Sequence, residues 1–146
     1  MDALQLLRTD HEKIRALFND IRHADSKELK REIFDRIKDD LDLHAHIEET
    51  VFYPAFADRD EFEEIIDESY DEHQEMTDLL EEIDETDIDD ETLFDDDIEE
   101  LAENFEYHVS KEEAEFFPIV GRALTKSQLE DLGRLLDEAR QKLAAA

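Results

Sequence analysis

The chain has no cysteine, two glycines, two prolines and no long apolar run. Without cysteine there is no disulfide scaffold, no thiolate zinc site and no iron–sulfur cluster, so any metal must sit on nitrogen and oxygen donors. So few glycines and prolines argue against a turn-rich sheet protein and for long helices. No apolar stretch approaches the ~18 residues that span a bilayer, and the opening MDALQLLRTDHEKI lacks the basic-then-apolar pattern of a signal peptide. A soluble, cytoplasmic protein is expected. Positive charge is scarce as well: 16 Lys and Arg stand against 46 Asp and Glu, a formal net charge of -30. Such a surface repels phosphate backbones and anionic headgroups, which argues against nucleic acid and membranes as partners. The acidity fits a high-salt cytoplasm or simply an over-charged solvated surface. Nothing marks an oligomer, so a monomer is the default expectation.

The 146 residues suit one domain. Apolar residues recur at helical spacing in four long segments, each expected to bury one stripe. The first stripe is Leu4, Leu7, His11, Ile14, Phe18 and Ile21; the second is Ile33, Ile37, Leu41, His44, Glu48 and Val51. The third runs Phe62, Ile66, Tyr70, His73, Met76, Leu80 and Ile83, and the fourth Phe94, Ile98, Leu101, Phe105, His108, Glu112 and Phe116. Breaks fall around 23–27, 54–60 and 84–92, where Asp25 with Glu28 and Asp58 with Glu61 have capping-box spacing. Short connections make neighbours antiparallel. The sequence thus predicts an all-α protein: an up-down four-helix bundle over about 2–122 and a shorter fifth helix over about 125–144. That helix starts at a Thr125/Gln128 capping box, with Leu129, Leu132, Leu136 and Leu143 as its apolar side, packed on the bundle's flank or end.

Each stripe contains residues foreign to a core. HAHIEETVFYP (44–54) and HVSKEEAEFFP (108–118) align His44 with His108, Glu48 with Glu112, Glu49 with Glu113 and Pro54 with Pro118. His11 and His73 precede these motifs by nearly equal distances, so the halves read as an ancient duplication with approximate two-fold symmetry. Residues four apart share a helix face, so His44 with Glu48, and His108 with Glu112, aim inward together. With His11 and His73 the interior receives four imidazoles and two carboxylates. That is too many for one tetrahedral zinc. Two ions bridged by the carboxylates satisfy the set and offset a desolvation cost of several kcal/mol per buried carboxylate.

Other candidates are weaker. His23 falls at a break and His46 points about 200° away from His44, so both read as surface residues. Glu49 and Glu113 lie one residue off the ligand face and read as solvated acids rather than outer acceptors. Asp40 and Asn104, one turn before His44 and His108, are candidates to accept the other imidazole N–H. Tyr70 and Tyr107 neighbour His73 and His108 and read as packing. The acidic stretch DETDIDDETLFDDD (84–97) lacks the glycine and spacing of a calcium loop, and reads as loop and helix-start charge.

Imidazole with carboxylate suits iron, zinc or manganese. The pattern resembles the hemerythrin-like, or HHE cation-binding, family over roughly residues 2–122: Asp10–His11, then two His-x-x-x-Glu helices ending in Phe/Tyr-Pro. The resemblance implies two non-haem irons, with His11 and His44 on one, His73 and His108 on the other, and Glu48 and Glu112 bridging; manganese and zinc stay open. Oxygen-carrying members have a fifth histidine where this chain has Thr77, a four-histidine set more like the bacterial repair-of-iron-centres proteins. The resemblance therefore implies oxygen binding or sensing, with peroxide or nitric-oxide turnover, or an iron-storage or iron-stress module, as alternatives.

Overall fold

The computed structural model describes residues 1–145 and is all-helical, with no strand among the described residues. Four long helices form the bundle: α1 (Ala3–Arg22), α2 (Lys27–Ile47), α3 (Glu63–Glu85) and α4 (Glu91–Lys111). Each of α2 and α4 continues into a π-helical turn, Glu48–Phe52 and Glu112–Phe116. The first then narrows to a 3-10 turn at Tyr53–Phe56, while the second runs on as α5 (Phe117–Ala123). The last helix, α6 (Lys126–Ala144), lies on the flank formed by α1 and α2.

The ends follow the capping chemistry, with two shifts from the sequence reading. Thr125 and Gln128 do form a capping box, and Asp2 with Gln5 forms another at the start of α1. At α2, however, Ser26 rather than Asp25 is the cap, its hydroxyl accepting from Leu29 N at 3.1 Å. Asp58 caps nothing on α3, because a 3-10 turn at Asp60–Phe62 leads the chain in. The C-terminal helix keeps its expected bounds and, at 19 residues, is only one residue shorter than α1 at 20. Gly133 explains how closely it lies: a Cβ there would come within 2.6 Å of the Met1 carbonyl oxygen, so only glycine lets α6 cross the start of α1 at this distance.

Nearly all stripe residues are buried; Tyr70 is exposed, and Val51 and Ile66 are half-buried. The core consists of two apolar clusters. One gathers Ile14, Phe18, Phe34, Ile37, Leu80, Phe94 and Leu101 toward the α1–α2 turn. The other gathers Leu7, Phe52, Phe56, Phe62, Phe116, Phe117 and Leu136 at the opposite end. Between them lies a layer of buried histidines and glutamates, sealed from water on both sides.

Candidate metal centre

Six buried side chains fill that layer: His11, His44, Glu48, His73, His108 and Glu112, none more than 5% exposed. Two groups have donor atoms within 4.8 Å of one another, His11 with His44, Glu48 and Glu112, and His73 with His108 and Glu48. Imidazole ring centres are 4.9 Å apart in the first pair and 4.8 Å in the second. Each carboxylate touches both pairs. Glu48 Oε1 lies 3.3 Å from His44 Nε2 and 3.2 Å from His73 Nε2. Glu112 places Oε1 3.2 Å from His11 Nε2 and Oε2 3.4 Å from His108 Nε2.

Every Nε2 faces inward because every Nδ1 is held from outside. His11 Nδ1–H donates to Glu113 Oε2 at 3.0 Å, and His73 Nδ1–H to Glu49 Oε2 at 3.1 Å. His44 Nδ1–H donates to Asp10 Oδ2 at 3.0 Å, and His108 Nδ1–H to Glu72 Oε1 at 2.7 Å. A carboxylate on the far nitrogen fixes both tautomer and ring orientation, as metal-bound histidines require. Glu49 and Glu113 are therefore anchors and not simply solvated acids. Asp40 and Asn104 are not the anchors: the imidazole protons go instead to Asp10 and Glu72, on the facing helices. The anchors follow the duplication. The acid before each first histidine holds the second histidine of its own half, and the acid after each inner glutamate holds the first histidine of the other half.

The π turns make this possible. In a regular α-helix Glu48 and Glu49 point about 100° apart, and the widened turn lets both reach His73 from opposite ring nitrogens. It also brings in Tyr53, a residue the sequence reading passed over. Tyr53 is 1% exposed, donates its O–H to Glu112 Oε2 at 3.1 Å, and lies 3.3 Å from His73 Nε2. Its partner in the repeat is Phe117, so alignment of the halves gave it no mark. Tyr70 and Tyr107 are exposed, while His23 and His46 face solvent as expected.

Without cations the layer is held by protons. Burial opposes a charged His44, but Glu48 and Asp10 outweigh it and raise it to about 10. Burial likewise opposes charge on His108 and His73, and their carboxylate neighbours raise both. Burial pushes Glu48 up, yet His44, His108 and His73 hold it well below the usual carboxylate range. Burial, with Glu112 and Glu48, pushes the Tyr53 phenol well above its ordinary value. Even so, His11 Nε2, His44 Nε2, Glu48 Oε2 and Glu112 Oε1 are buried with no aligned hydrogen bond. Buried polar atoms are rarely left so. Four of them converging in one layer fit cations rather than a hydrogen-bonded core.

Two hollows approach the centre. One of about 20 Å³ lies among Leu41, His44, His73, Thr77, Phe105 and His108, room for about one water-sized molecule. The other, about 60 Å³, opens beside His44 among Asp10, Lys13, Asp40 and Arg140. No helix among the described residues is long and apolar enough to cross a membrane.

Comparison with known proteins gives three likenesses. The family model described as Hemerythrin HHE cation binding domain matches residues 2–120. A DNA nickase from Nostoc sp. is 30% identical over 146 aligned residues, covering 98% of this chain but only 40% of that protein. The chain thus spans less than half of that relative's length. The crystal structure of a hemerythrin HHE cation-binding domain-containing protein from Mycobacterium kansasii superimposes with a TM-score of 0.82 at 24% identity, over 99% of this chain and 91% of the other.

Proposed function

Because the chain belongs to the hemerythrin HHE cation-binding domain family, we propose that it carries a non-haem di-iron centre that binds oxygen or a related small ligand. The observation that carries this reading is the convergence of four inward Nε2 atoms on two carboxylates, each of which touches both histidine pairs. In this reading His11 and His44 would hold one iron and His73 and His108 the other, with Glu48 and Glu112 as shared carboxylates. Manganese or zinc would suit the same donors. Iron held there would supply the redox chemistry that a diatomic ligand needs. The protein's own contributions are orientation, through four Nδ1 anchors, and exclusion of water by the two apolar clusters. The Tyr53 O–H holds a proton beside Glu112 Oε2. We take the whole chain as one cytoplasmic domain.

A second reading, turnover of peroxide or nitric oxide, draws support from the hollow beside Thr77 and from Tyr53. The hollow admits a small molecule next to His73 and His108, and from the opposite apolar cluster the phenol holds a proton beside Glu112 and His73. The DNA nickase likeness is not carried over, since a net charge of -30 works against a phosphate backbone. The test is metal analysis followed by an optical titration of the reduced, iron-loaded chain from anaerobic to aerobic conditions, then with hydrogen peroxide. Two irons and a reversible visible change support oxygen binding. Irreversible oxidation with repeated peroxide consumption supports the enzyme, and fewer than two metals per chain refutes the binuclear reading.

A further inference from the structure

In each half the acid that anchors the second histidine is itself held by a cation, but the two cations come from different places. In the second half it is Lys111, one turn beyond His108 on the same helix, with Nζ 3.0 Å from Glu72 Oε2. The repeat puts Ile47 at the equivalent position of the first half, and Ile47 is fully buried in the apolar cluster below. The first half has no cation of its own there. Arg140 fills the place from α6, pairing with the same Asp10 Oδ2 that accepts the His44 Nδ1–H.

We propose that Arg140 is a positioning residue of the metal centre, acting through Asp10 on His44, so that α6 is a working part of one half of the site. The family model matches residues 2–120 and leaves α6 outside. Asp10 is 7% exposed and borders the 60 Å³ hollow that also holds Lys13, one turn along α1. With Arg140 gone, Asp10 has room to swing toward Lys13 and water, and the Nδ1–H of His44 loses its anchor. The ring is then free to turn its Nε2 away from Glu48. Gly133 and Leu136 seat α6 so that Arg140 reaches this point. Any partner or variant that lifts α6 therefore loosens the His11–His44 position and spares the His73–His108 position.

The consequence for metal rests on the di-iron reading, but the positioning itself is testable without metal. Imidazole nitrogen NMR of the metal-free chain reads the His44 Nδ1–H. Arg140→Gln is expected to shift or abolish that resonance while leaving His108 unchanged, and Lys111→Gln to do the reverse. Anaerobic titration with ferrous iron should then show one of two irons weakened roughly 10- to 100-fold in each variant, the range typical of lost outer partners. Arg140→Lys, which keeps the charge, should restore much of both signals. Retention of the His44 resonance in Arg140→Gln overturns the proposal. So does a loss of helix content in that variant with no recovery of the resonance in Arg140→Lys, which would mark a purely structural role. A wild-type chain that takes up no iron refutes the di-iron reading alone, because the NMR comparison still decides whether Arg140 positions His44.

Discussion

His11 and His44 are as deeply buried as His73 and His108, but the two pairs are differently surrounded, and the larger hollow opens beside His44. Phe117 stacks on His11 with ring centres 6.0 Å apart, and α6 covers this side. Around the second pair, Tyr53 occupies the place that Phe117 holds in the repeat, and the small hollow beside Thr77, which His44 also lines, opens toward the rings. Ligands and anchors are repeated, while the surroundings have diverged. The difference teaches that duplication fixes what must hold a cation and leaves free what meets a ligand. In these terms the halves share a frame of inward donors and differ in what surrounds it.

The comparison can be broken outright or shifted by degrees. Glu112→Ala removes a carboxylate that touches both pairs and should erase the distinction, weakening both irons by more than the roughly 100-fold that an outer partner costs. Metal content after dialysis measures this.

Removing metal while changing pH comes next. His44 rises from 6.5 to about 10 on folding. A raised imidazole stabilises the folded chain fully below its unfolded value and loses that contribution as pH climbs through the folded one. The metal-free protein should therefore lose thermal stability steadily from about pH 6.5 to pH 10. The iron-loaded protein should not, since its imidazoles are held by metal and binding releases their protons. Melting curves at several pH values, with and without iron, check both.

Glu49→Gln and Glu113→Gln should each weaken iron about tenfold, but at opposite positions, because Glu49 anchors His73 and Glu113 anchors His11. Equal weakening of the same iron in both variants would contradict the crossed anchoring. The smallest effects belong to the aromatic pair. Tyr53→Phe should cost the metal-free chain about 1 kcal/mol in urea unfolding, the worth of one hydrogen bond. Phe117→Tyr should gain a similar amount, because the repeat aims its hydroxyl at Glu48, whose Oε2 has no partner. If both changes destabilise, the halves are not interchangeable at this position.

The bundle and the six inward residues are legible in the sequence because they violate a pattern: a histidine or glutamate at an apolar position stands out. The anchors violate nothing. With 46 acidic residues in the chain, an acid that holds an imidazole looks like any other acid on a solvated face. A signal did exist, since Asp10 and Glu72 each precede the first histidine of their half, and Glu49 and Glu113 each follow the inner glutamate. Reading the repeat through those neighbours would have found all four. A same-helix acceptor such as Asp40 or Asn104 is the simplest expectation, whereas the acceptors come from facing helices. Tyr53 depends on the π turn, which leaves no mark in hydrophobic spacing. Arg140 lies 130 residues from Asp10, and only the docking of α6 brings them together.

The crossed anchoring has a consequence for how the centre came to be. Glu113 of the second half orients His11 of the first, and Glu49 of the first orients His73 of the second. A half-length ancestor, folded alone, would carry two histidines and a glutamate but leave its first histidine without an outer acceptor. Two such copies facing each other across a two-fold axis supply what each lacks. The centre reads as the interface of a former pair whose halves are joined end to end by the segment between α2 and α3, and its inequality as later divergence in which the first half carries both Tyr53 and the Asp10–Arg140 pair.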